Sequence, residues 1–473
     1  MRIYFIGICG TAMGNVAVLM QRAGHTIAGS DQGIYPPMST VLEEAGVQCF
    51  AGWDETNLET FQPDLVVVGN AVTRGNPEVE FILRSKQFPF TSLPALLNNQ
   101  LLGDRPRVVI TGTHGKTTTT ALTAWLLKQG EQDPGWLIGG VPNSLSSGSE
   151  LGNGLRPFVL EGDEYDSAFF DKRSKFIHYR PDVLVINNIE FDHADIFRDL
   201  ADVKRTFNHL IRIVPGNGVI LANGDDPVIR ELLPVSWTQV CFVGVGDDND
   251  FIIQDFKESP DGSAFKLVDS DGGKSLDVST QLTGIFNARN TAMAMLASGF
   301  AANRENPMAF CSSHSLDGYE GVARRQDVLF ESERLFVIED FAHHPTAIRL
   351  CIESFKNCYP EREVVAVFEP RSNTSATNVL QEEFMGALGT AHRVLISPVH
   401  RAEIYSDDSR MDTKAMVQTL SEQCISATAC RSKESLFADL EELPGDVGRL
   451  VILFTNGSFG KPLADYLERL RAD

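Results

Sequence analysis

Apolar residues occur along this chain in short blocks that stop at glycine or a polar turn, and each block is followed by a longer stretch with helical spacing. The first block, Arg2–Ile6, runs into Gly7-Ile8-Cys9-Gly10-Thr11-Ala12-Met13-Gly14, and a helix is expected from there through Ala23. Further strands are expected over residues 25–28, ending at Gly29-Ser30-Asp31, and over 64–68, ending at Gly69-Asn70-Ala71. This alternation predicts an α/β protein with mainly parallel sheets. Open sheets of that class bind ligands at strand carboxyl ends, where these glycines and polar residues recur.

The pattern continues in two more segments. Gly103-Asp104-Arg105-Pro106 reads as a linker, and a strand over 107–110 opens the second segment. Strands are expected there at 158–160, 183–186 and 219–221, and residues 247–277, rich in Gly, Ser and Asp, read as a small antiparallel insertion. The third segment has expected strands at 336–338, 364–368, 393–396 and 450–454. The expected domains are 1–105, 106–318 and 319–473.

Composition narrows the function classes. A length of 473 residues agrees with a chain of about three domains. No apolar run approaches the ~18–20 residues that span a bilayer, and no charged leader precedes the first strand, so a cytoplasmic protein without a membrane segment is expected. The net charge of -22 argues against general nucleic-acid binding, which needs a basic footprint. Eight cysteines without a C-x-x-C pair read as reduced thiols rather than zinc ligands.

The strand over 107–110 runs into Gly112-Thr113-His114-Gly115-Lys116-Thr117, with a helical pattern from Thr118 to Lys128. Strand, glycine loop, Lys-Thr and helix together predict a phosphate loop for ATP, shorter than the usual G-x-x-x-x-G-K-[ST]. Loop amides and the helix N-terminus favour phosphates, Lys116 adds a charge, and Thr117 offers a hydroxyl to Mg²⁺. Two other strands end in metal-binding types: 158–160 in Glu161, and 183–186 in the run containing Asp192-His193. If these strands lie parallel to the loop strand, Glu161 and His193 share its edge with Thr117; the alternative is that these acids cap helices.

These residues resemble the Mur ligase family, ATP-dependent enzymes that build the peptide stem of peptidoglycan. The resemblance is carried by the loop, by Glu161-Gly162-Asp163-Glu164, by Asn188-Ile189-Glu190-Phe191-Asp192-His193, by Asn223-Gly224-Asp225-Asp226 and by Asp340-Phe341-Ala342-His343-His344-Pro345-Thr346. It implies a Rossmann-like UDP-sugar domain, a central ATPase domain and a C-terminal Rossmann-like domain. It further implies that Mg²⁺ and ATP drive ligation of UDP-N-acetylmuramate. Stretches 35–40, 69–77, 164–176 and 369–374 resemble the members that add the tripeptide L-alanyl-γ-D-glutamyl-meso-diaminopimelate, with free L-alanine as the alternative acceptor.

The resemblance implies roles residue by residue. Gly112, Thr113, His114, Gly115, Lys116, Thr117 and Thr118 hold the ATP phosphates; Thr117, Glu161 and His193 hold Mg²⁺. Asn287 and Asn290 meet the base, Arg324 or Arg325 reaches ATP from the domain junction, and Asp340 orients the ribose or a cation. His343 and His344 steer the acyl phosphate or the amine, and Arg371 clamps a carboxylate. Lys204 lies too close behind His193 to match the carbamylated lysine of sibling ligases, which leaves a second Mg²⁺ open. In the first segment Gly7, Gly10 and Gly14 miss the dinucleotide pattern because Cys9 replaces a glycine. The turn then suits the UDP diphosphate, through Gly7, Cys9, Gly10, Thr11, Ala12 and Met13, with Ser30, Asp31, Asn70, Ala71 and Thr73 as walls. A monomer or weak homodimer is expected. Two other classes remain open: an NTPase that makes no bond, and a nicotinamide-dependent dehydrogenase.

Overall fold

A computed structural model describes residues 1–36, 38–271, 273–443 and 448–472. Pro37 of the stretch 35–40, Gly272 of the stretch 247–277 and the final residue of the third expected domain lie outside the described residues. The first sheet holds β1 (Arg2–Ile6), β2 (Thr26–Asp31), β3 (Gln48–Ala51), β4 (Leu65–Val68) and β5 (Phe90–Ser92). All are parallel, in the order β3-β2-β1-β4-β5. The order reverses at β1, so the glycine turn behind it sits at the crevice where such sheets bind ligands.

The central sheet has ten strands. They are β6 (Arg107–Thr111), β7 (Gly135–Leu137), β8 (Ser149–Glu150), β9 (Phe158–Glu161), β12 (Val183–Ile186), β13 (Val219–Asn223), β14 (Gln239–Gly244), β15 (Phe251–Ser259), β16 (Gly262–Asp269) and β17 (Ser275–Thr280). Between β9 and β12, β10 (Asp166–Ala168) and β11 (Asp171–Ser174) form a separate hairpin. β6 lies between β9 and β12, parallel to both, so all three strand ends fall on one edge. The stretch 247–277 is antiparallel but is not a separate insertion. β15 pairs with β14 through Val243 and Phe251, and the hairpins extend the main sheet.

The third sheet holds β18 (Asp327–Glu331), β19 (Leu335–Asp340), β20 (Glu363–Phe368), β21 (Arg393–Ile396), β22 (Ser426–Ala429) and β23 (Arg449–Phe454). Its order is β18-β19-β23-β20-β21-β22, and only β18 is antiparallel. Helices cover both faces: Val365 and Val367 face one apolar cluster, Val364, Ala366 and Phe368 the other. The first and central sheets share a cluster in which Leu93, Leu96 and Leu97 belong with Phe176 and Tyr179. Among the described residues, no helix is long and apolar enough to cross a membrane.

The helix behind the phosphate loop, Lys116–Gln129, begins with four threonines, which are poor helix formers in isolation. Buried hydroxyls bond back one turn here: Thr119 Oγ1 to Gly115 O at 3.0 Å, Thr120 Oγ1 to Lys116 O at 2.8 Å and Thr123 Oγ1 to Thr119 O at 2.7 Å. Tertiary burial against the helix Ile285–Ala302 therefore overrides propensity. Gly115 precedes this helix at φ +82, a left-handed conformation that a side chain disfavours, and a Cβ there would meet Asn290 Oδ1 at 2.7 Å.

Candidate functional site

One cavity of about 1710 Å³ is lined by residues of all three sheets' units, with the phosphate loop in its wall. Lys116 Nζ donates to Gly112 O at 2.7 Å, to Thr113 O at 3.3 Å and to Glu164 at 2.8 and 3.0 Å. Glu164 also meets His193 Nε2 at 2.9 Å, so one buried carboxylate joins the loop lysine to the strand-end histidine. Burial pulls the Lys116 pKa down, but Glu164, Asp163 and Glu161 outweigh it and the net shift is upward. The same contest raises His193: burial lowers it, while the hydrogen bond and charge of Glu164 and the charge of Asp192 prevail. Lys116 is thus a firmly charged ammonium whose partner is a carboxylate, set in the wall of the cavity.

Thr117 Oγ1 donates to Glu161 Oε1 at 3.0 Å, and Glu161 Oε2 accepts from Gly139 N at 2.8 Å. Strand ends thereby bring Thr117, Glu161 and His193 to one edge, with His193 held at φ +55. A hydroxyl and carboxylates beside one imidazole fit Mg²⁺, a hard cation that prefers oxygen. Arg325 reaches the same hydroxyl, Nη2 to Thr117 Oγ1 at 3.3 Å, and lies 4.6 Å from the Phe341 ring centroid. Its neighbour Arg324 also lines the cavity but bonds elsewhere, to Thr455 O at 2.9 Å and Glu339 at 3.2 Å, so of the two arginines it is Arg325 that bonds to the loop's Thr117.

Asn287 and Asn290 line the cavity in the first turns of the helix Ile285–Ala302. Asn290 Nδ2 donates to Asn287 Oδ1 at 3.1 Å, and Asn287 Nδ2 donates to Gln326 Oε1 at 3.0 Å. Asp340 holds backbone, accepting from Gln326 N at 2.9 Å and Ala342 N at 2.7 Å, and burial raises its pKa.

His343 and His344 both line the cavity, and burial lowers the pKa of each. His343 Nδ1 lies 3.0 Å from Phe341 O, and its Nε2 faces Asp192 at 3.8 Å. His344 Nε2 lies 3.2 Å from Phe191 O. Arg371 pairs with the buried Glu369 at 3.5 Å, and its guanidinium lies against Gly457, where a Cβ would come within 1.9 Å.

His114, Glu190 and His344 converge closely enough to suggest a second metal trio. Hydrogen bonding argues otherwise. Asn188 Oδ1 accepts from His114 N at 2.9 Å, and its Nδ2 meets His114 O at 3.1 Å and Nδ1 at 3.0 Å. That orientation makes Nδ1 the acceptor and leaves the proton on Nε2, 2.8 Å from Glu190 Oε1. Burial raises the Glu190 pKa, yet bonds and charge from His114, with help from His344 and Thr346, bring it down to about 2. The trio is a hydrogen-bonded tie to an anionic carboxylate.

The first unit contributes less side-chain chemistry than expected. Cys9, Gly10, Thr11 and Ala12 line the cavity, while Gly7, Met13, Ser30, Asp31, Asn70, Ala71 and Thr73 do not. Ser30 is buried and bonds to Glu78 at 2.5 Å. Asp31 accepts from Cys9 N at 2.9 Å and Gly33 N at 3.1 Å, so it builds the turn. Sequence reasoning assigned no role to Glu164, Glu190, Asn188, Gln326 or Thr346. Glu164, Glu190, Asn188 and Thr346 stand inside the recognised motifs; for Gln326 no local signal exists.

Comparison with known proteins agrees along the whole chain. Residues 2–103 match the Mur ligase family catalytic domain, 110–298 the Mur ligase middle domain and 324–457 the Mur ligase glutamate ligase domain. The UDP-N-acetylmuramate–L-alanyl-gamma-D-glutamyl-meso-2,6-diaminoheptandioate ligase of Escherichia coli K12 is 38% identical over 463 residues, covering 97% of this chain and 96% of its own. A murein peptide ligase structure from Psychrobacter arcticus superposes with a TM-score of 0.71 at 32% identity, covering 99% of this chain and 98% of that one. A UDP-N-acetylmuramate-alanine ligase from Thermotoga maritima shares the fold, with a TM-score of 0.78 at 22% identity, covering 100% of this chain and 99% of that one.

Proposed function

The chain belongs to the Mur ligase family, and on that premise we propose that it joins UDP-N-acetylmuramate to the tripeptide L-alanyl-γ-D-glutamyl-meso-diaminopimelate at the expense of ATP. The observation that carries the acceptor is the full-length, 38% match to a ligase named for it. The reaction is amide formation. A carboxylate is a poor acyl donor, so the γ-phosphoryl group passes from ATP to the lactyl carboxylate and ADP leaves. The tripeptide amine attacks the acyl phosphate, a tetrahedral intermediate forms, and phosphate departs with the amide left behind.

The chain's own groups serve those steps. Lys116 exchanges Glu164 for the phosphates, where its charge offsets the approach of two anions. Arg325, beside Thr117, adds a second positive charge. Thr117, Glu161 and His193 would hold Mg²⁺, which supplies further charge neutralisation. Asn287 and Asn290 border the base, and the amides of Thr11 and Ala12, at the start of the helix after β1, receive the UDP diphosphate. His343 and His344, neutral through burial, face the reacting region, and Arg371 takes an acceptor carboxylate.

The proposed domains are 1–105, 106–318 and 319–473, a division supported by the three sheets. The proposal extends to a monomer or weak homodimer, acting in the cytoplasm in peptidoglycan recycling. The test mixes purified protein, MgATP and UDP-N-acetylmuramate with tripeptide or with free L-alanine, and follows phosphate and product mass. Phosphate release that needs both co-substrates, with tripeptide preferred, is the expected outcome. Preference for alanine would reassign the acceptor, and phosphate release without either co-substrate would remove the ligase reading.

A further inference from the structure

The helix Pro345–Cys358 is one of the elements through which the third unit meets the central one, and two glutamates of the central unit hold it near its two ends. At the first turn, Thr346 Oγ1 donates to Glu190 Oε2 at 2.5 Å. Toward the last turn, Ser354 Oγ and Asn357 Nδ2 donate to Glu258 at 2.8 and 2.9 Å. Residues at these spacings lie on one face of a helix, so the glutamates grip a single docking surface.

Each glutamate also holds an element of the nucleotide site. Glu190 Oε1 meets His114 Nε2 of the phosphate loop at 2.8 Å. Glu258 Oε2 accepts from Gly284 N at 3.0 Å, the residue that opens the helix bearing Asn287 and Asn290. Glu258, Ser354 and Asn357 do not line the cavity, so none of the three is a substrate contact. Gln326 in the connecting segment completes the circuit: its Oε1 accepts from Asn287 Nδ2 at 3.0 Å, while its N donates to Asp340 at 2.9 Å. Arg324 and Gln326 sit there at φ +64 and φ +52, a conformation held only when surroundings enforce it and a place where rotation can be absorbed.

We propose that Glu190 and Glu258 are positioning residues that couple the shape of the ATP site to the docking of the third unit, so that nucleotide affinity depends on Thr346, Ser354 and Asn357. Coupling of this kind is reciprocal: a nucleotide that fixes His114 and Gly284 strengthens the seat of the helix by the same factor. The inference rests on the ATP-site reading above and is independent of the acceptor's identity.

The test measures binding of the β,γ-imido analogue of ATP, with Mg²⁺, to the full-length protein by calorimetry. Ser354→Ala is expected to raise Kd about tenfold, the size of one lost hydrogen bond to a charged group, and Glu258→Ala, which also loses Asn357 and Gly284 N, by at least as much. The double variant is expected to resemble Glu258→Ala alone, because that change already removes the Ser354 contact. Asn357→Asp, an exposed change that sets a like charge against Glu258, is expected to raise Kd while leaving the thermal midpoint in place. Glu190→Gln with Thr346→Ala closes the same cycle on the other arm. Unchanged Kd in Ser354→Ala and Asn357→Asp, or strictly additive effects, overturns the coupling. A wild-type protein that binds no nucleotide overturns the ATP reading instead, and absence of amide product with intact nucleotide coupling overturns only the ligase reading.

Discussion

The turn after β1 and the turn after β6 have the same outline, strand to glycine loop to helix, yet their surroundings differ in kind. Behind β6, ionisable side chains converge on the cavity: Lys116 on Glu164, His193 on Glu164, Thr117 on Glu161. Around the turn behind β1, the polar side chains at the end of β2 are engaged within the unit, Ser30 with Glu78 and Asp31 with the amides of Cys9 and Gly33, and the turn lines the cavity with Cys9, Gly10, Thr11 and Ala12. On the proposed reading, one turn serves chemistry on phosphates and the other holds a diphosphate. Substitutions behind β6 should therefore change turnover, whereas substitutions behind β1 should change stability and binding.

The largest expected effect is at Lys116. Lys116→Ala removes the loop's charge and leaves Glu164, a buried carboxylate, with His193 as its remaining partner. Turnover should fall about a thousandfold or more, the scale of losing a transition-state charge partner. UDP-N-acetylmuramate binding should survive, and turnover near wild type would erase the contrast between the turns. Next is His193→Ala, which should raise the Mg²⁺ concentration for half-maximal rate about ten- to a hundredfold. An unchanged Mg²⁺ titration would remove His193 from the metal set.

What the sequence makes legible follows from range. β12 and β21 carry the predicted bounds, because apolar runs stopped by turn residues define both ends. Lys116, Glu161 and His193 can be assembled because they follow neighbouring parallel strands. Glu164 is harder: it stands in the same motif as Glu161, but which carboxylate turns toward Lys116 depends on the path of the chain after β9. Glu258 is illegible, since its partners Ser354 and Asn357 lie 96 and 99 residues away in another unit. Ser30 and Asp31 occupy the strand end that suggests ligand contact, and only the tertiary partner Glu78 and the tight turn at Gly33 redirect them.

A smaller effect concerns pH. His343 and His344 have pKa values lowered by burial, so the unfolded chain binds more protons below its ordinary histidine pKa, about 6.5. Their neutral burial is cost-free above that value and destabilises the fold increasingly as pH drops beneath it. His193 acts oppositely, since its raised pKa adds stability that fades as pH rises through the folded value. Replacing both His343 and His344 with Asn should flatten the acid-side fall of the thermal midpoint. A slope identical to wild type would mean that the pair is solvated in the native protein.

The smallest expected effect tests the amide-built turn. In Asp31→Asn one side-chain oxygen remains to accept, so of the bonds from Cys9 N and Gly33 N only one can persist. Stability should fall by about 1 kcal/mol, the net value of one hydrogen bond. Because Asp31 does not line the cavity, kcat should hold, and KM for the UDP-sugar should rise only as far as the turn loosens. A hundredfold loss in kcat/KM for the UDP-sugar, with the thermal midpoint intact, would instead make Asp31 a direct ligand contact. That outcome would place side-chain recognition behind β1 as well, and the two turns would then differ in the charge they carry rather than in how they bind.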